Sequence, residues 1–193
     1  MKLRVGYIKE GTRVLGPGWR FVIWTQGCLR RCKECISPEH QPLDGGCMVD
    51  TEELAKRICS NSHIEGVTIS GGEPFLQAKA LSELTEMVKT LRPELNVIVF
   101  TGNRLEDLTD EDSKAFLKNI DLLIDGEYVP ELNDGMGLRG SSNQRFHFLT
   151  QNLLRFKEEI EMGKRRREVY VENDNELITI GIASPVAGNI IQV

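Results

Sequence analysis

The sequence predicts an α/β protein, an open, partial (β/α) barrel with a helix and hairpin extension at its C-terminus. Three observations predict it. Apolar, β-rich runs alternate with amphipathic helical stretches, the pattern of parallel βαβ units. Each run ends in a small polar or glycine-containing turn. The chain of 193 residues holds about four to six such units, short of the eight units and roughly 250 residues of a complete barrel. Residues 1–150 form the barrel domain, and 151–193 an extension expected to pack on the same domain.

"RFVIWTQ" (20–26) is an apolar run rich in β-formers and reads as a buried strand. "VDTEELAKRICS" (49–60) follows as a helix, with Asp50 or Thr51 as N-cap, acids in the first turn, and Leu54, Ile58 and Cys59 at helical spacing. "EGVTISGGEP" (65–74) is a strand and tight turn. "LQAKALSELTEMVKTLRP" (76–93) is a helix stopped by Pro93, with Leu81, Leu84, Val88 and Leu91 on one face. "LNVIVFTGN" (95–103) is a third strand, "LEDLTDEDSKAFLKNI" (105–120) a helical region, and "DLLIDGEYV" (121–129) a fourth strand ending at Asp125–Gly126. Beyond residue 150, "QNLLRFKEEIEMGKRRRE" (151–168) reads as helical, and "VYVENDNELITIGIA" (169–183) as two strands joined by an Asn/Asp turn. The four main strands end at Gly27-Cys28, Ser70-Gly71-Gly72, Thr101-Gly102 and Asp125-Gly126. In parallel architectures that end of the sheet carries the active site.

Composition narrows the classes. The chain is 40% hydrophobic and 27% charged with a net charge of −5, which gives no general electrostatic basis for binding nucleic acid. The basic run "GKRRRE" (163–168) reads as a solvated helix end. The start "MKLRVGYIKEG" lacks the apolar core of a signal peptide, and no run has the length of a membrane span. A cytoplasmic location and no membrane partner are therefore expected, with thiols reduced and available for metal or redox chemistry. His40, His63 and His147 are scattered and read as surface or packing residues.

Three of the five cysteines, Cys28, Cys32 and Cys35, stand as C-x3-C-x2-C in "TQGCLRRCKEC". Three thiolates on a short loop suit three corners of an iron–sulfur cubane, leaving one iron open for a substrate or cofactor. The competing reading is a structural zinc completed by Cys47 or Cys59. "SGGEP" (70–74) is the second feature. Two glycines allow close backbone approach, Pro74 presets the next turn, and Glu73 would present a carboxylate to an ammonium group. Alone, it reads as a tight turn with a solvent-exposed acid.

Together, the two motifs make the chain resemble the radical S-adenosylmethionine (SAM) superfamily. That resemblance implies that Cys28, Cys32 and Cys35 ligate a [4Fe-4S] cluster, that SAM occupies the open iron, and that Gly71, Gly72, Glu73 and Pro74 are the SAM motif. "GPGWR" (16–20), Thr101-Gly102, "LIDGEYV" and "LRGSSNQ" (138–144), in that order, are similar to the anaerobic ribonucleotide reductase activating proteins across roughly residues 13–150. The resemblance implies the radical SAM partial barrel and reductive cleavage of SAM to methionine and a 5′-deoxyadenosyl radical. It also implies formation of a glycyl radical on a partner such as anaerobic ribonucleotide reductase, and a flavodoxin- or ferredoxin-type reductant. Thr101, Gly102, Ser141 and Asn143 become candidate SAM contacts, within a donor-rich segment from Arg139 to Gln144. Two other readings stay open: radical SAM modification of a peptide or small molecule, and a non-catalytic iron–sulfur or zinc module. No conventional acid–base pair or nucleophile is assigned.

Overall fold

All six residues of β2 (Arg20–Thr25) are buried, which requires cover on both faces of the strand. The computed structural model, which describes residues 1–171 and 177–183, shows where the cover comes from. β2 lies in a seven-stranded sheet of order β3-β1-β2-β4-β5-β6-β7. The four apolar strands form its parallel core: β2, β4 (Gly66–Gly71), β5 (Asn96–Phe100) and β6 (Leu122–Asp125). Antiparallel strands continue the sheet at both margins, with β1 (Lys2–Thr12) and β3 (Cys47–Asp50) beside β2 and β7 (Arg145–Phe148) beside β6. The fold is thus mixed α/β with a parallel core.

Side chains alternate between two cores, as strand periodicity demands. Phe21, Ile23, Val67, Ile69, Val97, Val99 and Leu123 enter a core shared with α1 (Thr51–Ser60), α2 (Ala78–Leu91) and α3 (Glu111–Leu117). Val22, Trp24, Ile98, Leu122 and Ile124 point to the other face, where Leu138, Leu153, Ile160, Ile180 and Ile182 meet them. Much of that second cover comes from α4 (Lys157–Met162) and the hairpin of β8 (Glu168–Val171) and β9 (Leu177–Ile180).

Several expectations are corrected. The region 105–120 is a 3-10 turn, Leu105–Asp107, followed by the shorter α3, which Asp110 caps through the Ser113 N–H at 2.9 Å. The region 151–168 is likewise a 3-10 turn and the six-residue α4. The basic run is not wholly solvated. Arg165 has only 3% of its side chain exposed and donates to the carbonyls of Gly137, Met136, Arg139 and Ala183 and to Asn133 Oδ1. It pins the loop before "RGSSNQ" rather than meeting solvent. The hairpin is present, and its expected turn lies outside the described residues.

Asp121, just before β6, ties three elements together. Its carboxylate accepts from the Val97 N–H at 2.7 Å, Lys89 Nζ at 2.6 Å and Thr150 Oγ1 at 2.6 Å. Burial alone would raise this carboxyl, but those donors outweigh it and hold it below its ordinary value. A depressed acid contributes stability above its unfolded value that is lost as pH falls through its folded one. We expect Asp121→Asn to cost about 1–3 kcal/mol at pH 7 and to flatten the acid limb of a plot of denaturation midpoint against pH. A parallel shift of the whole plot would contradict this assignment.

Candidate active site

The parallel strands end together, and their ends carry the site. Gly27, with φ +101, turns the chain out of β2 into the cysteine loop. The Gly27 and Cys28 N–H groups donate to the carbonyls of His40 and Gln41 at 2.9 and 3.0 Å, which closes the loop behind the cysteines. Inside it, Arg31 and Glu34 adopt left-handed φ values of 52 and 50, a costly geometry for residues with a Cβ. It winds Cys28, Cys32 and Cys35 towards one cavity.

The second motif is bonded directly to the first. The Gly72 N–H donates to Thr25 O at 2.7 Å and the Glu73 N–H to Gly27 O at 2.8 Å. A Cβ on Gly72 would collide with Gly27 O and approach His40 O to 2.8 Å, so the second glycine of "SGGEP" permits this contact. Gly72→Ala is expected to destabilise the protein by about 1–3 kcal/mol, read as a lowered denaturant midpoint. An unchanged midpoint would mean that the two backbones separate freely.

Glu73 departs from the expected free carboxylate. It is 4% exposed. Oε1 accepts from Thr101 Oγ1 at 2.7 Å and the Phe75 N–H at 3.0 Å, and Oε2 from the Gly102 N–H at 2.9 Å. Burial pushes its carboxyl up, and these donors together with the Arg30 guanidinium, 3.9 Å away, oppose the shift. Glu73 therefore braces the end of β4 against the end of β5, and Thr101 and Gly102 owe their placement to it.

Cys28, Cys32, Cys35, Gly71, Gly72, Glu73, Thr101 and Gly102 all line one cavity of about 520 Å³, a volume suited to a small-molecule ligand. Pro74 is buried and is not among the cavity's lining residues. Ser141 and Asn143 are not among its lining residues. Ser141 is fully buried, with Oγ accepting from the Val129 N–H, and Asn143 Nδ2 donates to Glu127 O at 2.8 Å. Their neighbour Gln144 does line the cavity, and its Oε1 accepts from the Gly140 and Ser141 N–H groups. Of the donor-rich segment from Arg139 to Gln144, Gly140 and Gln144 line the cavity, whereas sequence reading missed Arg30, Tyr128 and the residues of β9.

The donor set fits an iron–sulfur cluster. Three free thiols of one loop open into one cavity. Thiolates are the ligands that hold iron–sulfur clusters. Burial first, and then the Glu127 carboxylate, push the Cys32 thiol up. Cys47, exposed on β3, and Cys59, packed from α1 against the helical core, do not line the cavity. That placement weighs against the competing reading in which either completes a zinc site.

A family described as a 4Fe-4S single cluster domain matches residues 14–147. The anaerobic ribonucleoside-triphosphate reductase-activating protein of Vibrio cholerae is 34% identical over 145 residues, covering 71% of this chain and 92% of the relative. This chain belongs to that activating-protein family. The corresponding protein of Enterobacteria phage T4 is 35% identical over 137 residues, covering 68% of this chain and 85% of the relative. The pyruvate formate-lyase 1-activating enzyme of Escherichia coli is 42% identical over 69 residues, 33% of this chain and 28% of that enzyme. As a member of the activating-protein family the chain is a radical SAM enzyme of the glycyl-radical-activating type, and its cofactors are a [4Fe-4S] cluster and SAM. No helix of the described residues is long and apolar enough to cross a membrane.

Proposed function

We propose that this chain generates a glycyl radical on an anaerobic ribonucleoside-triphosphate reductase. The observation that carries the reading is the bond from the Glu73 N–H to Gly27 O, which fixes the cysteine loop and the SAM motif as two walls of one cavity. Cys28, Cys32 and Cys35 would hold the cluster, and Gly71, Gly72, Thr101 and Gly102 would bound the SAM site. When bound, the two cofactors supply a one-electron cleavage coupled to hydrogen abstraction, leaving methionine and 5′-deoxyadenosine. The chain's own share is positioning. Glu73 holds the strand ends in register through Thr101 and Gly102, and Gln144 ties the loop after β6 to the cavity rim through Gly126 O at 2.7 Å.

Several finer points belong to the same reading. The parallel core curves as the open partial barrel of radical SAM enzymes, with residues 1–150 as that domain and 151–193 as its extension. A flavodoxin- or ferredoxin-type protein supplies the electron, and the reaction takes place in the cytoplasm without nucleic acid. Reconstitution under anoxia, reduction with dithionite and addition of SAM and the reductase should give 5′-deoxyadenosine and a glycyl-radical doublet in the electron paramagnetic resonance (EPR) spectrum. A loaded enzyme that cleaves SAM yet leaves the reductase silent would refute the choice of substrate.

A further inference from the structure

The β8–β9 hairpin lies beyond the matched family region, yet all four residues of β9 and the two that follow it, Leu177 to Ile182, line the catalytic cavity. Along a strand, alternate side chains face opposite ways. Ile178 and Ile180 pack against the second core, whereas Leu177 is 59% exposed and Thr179 is exposed. Residues of both faces thus border one cavity in an unbroken series, as they do where a strand turns its edge towards it. β9 pairs with β8 on one side, and among the described residues no strand pairs with its other side. The sequence Leu-Ile-Thr-Ile also carries neither the charge nor the proline that usually blunts an exposed edge.

We propose that this edge of β9 receives the glycine-bearing segment of the partner as an added, extended strand, inside the cavity where its hydrogen is removed. The inference rests on the glycyl-radical reading above. Its chemical basis is that the target is a Cα hydrogen of a residue with no side chain. Recognition must then come through the main chain, and an open strand edge supplies alternating N–H and C=O groups for that purpose. The edge adjoins the reactive cavity directly, so the same contact that binds the segment also delivers it. The apolar side chains of Ile178 and Ile180 pack β9 against the second core.

The test uses the full-length, cluster-loaded enzyme with SAM and synthetic peptides spanning the radical-bearing glycine of the reductase. Peptides N-methylated at alternate amides would be compared with the unmodified peptide by anoxic calorimetry. One methylation register should weaken binding at least ten-fold and the other should leave it nearly unchanged, because only one set of amides faces β9. Equal binding in both registers, or no binding of the unmodified peptide, would overturn strand addition. So would a dimer through this edge that the peptide fails to dissociate. In parallel, the intact reductase is assayed for its glycyl-radical doublet. A doublet with register-independent peptide binding sinks this inference alone, and a missing doublet sinks the function on which it rests.

Discussion

Cys32→Ala is expected to yield a protein that takes up no stable [4Fe-4S] cluster and forms 5′-deoxyadenosine only at background. Cys28→Ala and Cys35→Ala should do the same, because the three thiols share one short loop and one cavity. Cys47→Ala and Cys59→Ala supply the contrast. Cys47 sits opposite Val5 in the β1–β3 ladder and is exposed, and Cys59 packs against the helical core. Both variants should retain the cluster's absorbance and its EPR response to SAM, with Cys59→Ala losing at most modest stability. Loss of the cluster in Cys47→Ala would show that the chain supplies a fourth ligand and would end the open-site reading.

The placement of the cysteine trio and of "SGGEP" was legible because both sit where an apolar strand stops, and parallel strands stop together. What each side chain does there was less legible. Glu73 reads in sequence as an acid in a glycine turn. Its burial and its three donors depend on Thr101 and Gly102, a strand away. The segment "RGSSNQ" reads as a row of donors, but Ser141 and Asn143 spend theirs and their acceptors on the loop after β6, leaving Gln144 at the cavity. Arg165 shows the same limit, since a charge run does not reveal which of its members turns inward to satisfy backbone carbonyls.

The fold divides in a similar way. Strands β2, β4, β5 and β6 announce themselves because they are buried on both faces and so read as continuous apolar runs. β1 is interrupted by Gly6 and Gly11 and carries four charged residues, Lys2, Arg4, Lys9 and Glu10, because it is only partly covered. β3 and β7 have four residues each and lack a fully buried face, so neither carries a period long enough to recognise. The antiparallel margins were therefore invisible, while the parallel core was not.

Arg20→Met is expected to lower stability by about 1–3 kcal/mol for each buried acceptor it leaves unpaired while leaving SAM binding by the folded enzyme nearly unchanged. Arg20 is wholly buried. Nε donates to Thr68 Oγ1 at 2.5 Å, Nη1 to Asn96 Oδ1 at 2.7 Å and Pro17 O at 3.2 Å, and Nη2 to Val67 O at 2.7 Å and Asn96 O at 3.2 Å. Burial pushes its guanidinium down to about 9, against Asp121 and Glu65, so it stays charged at neutral pH. Gly16 and Gly66 make room for it, since a Cβ on either would press within 2.7 Å of its side chain. Methionine fills part of the volume but leaves those acceptors unpaired in a dry interior. Arg20 pairs across the sheet with Gly66, and Gly66 with Asn96, at the starts of three parallel strands. The cavity lies at their other ends, about 16 Å away at the usual rise per residue. The motif "GPGWR", which helped carry the family resemblance, thus anchors the scaffold from the face opposite the chemistry. A denaturant melt of the apo-protein, set beside SAM titration of the loaded enzyme in the cold, separates the two roles. A normal midpoint with lost SAM affinity would place Arg20 in the site after all.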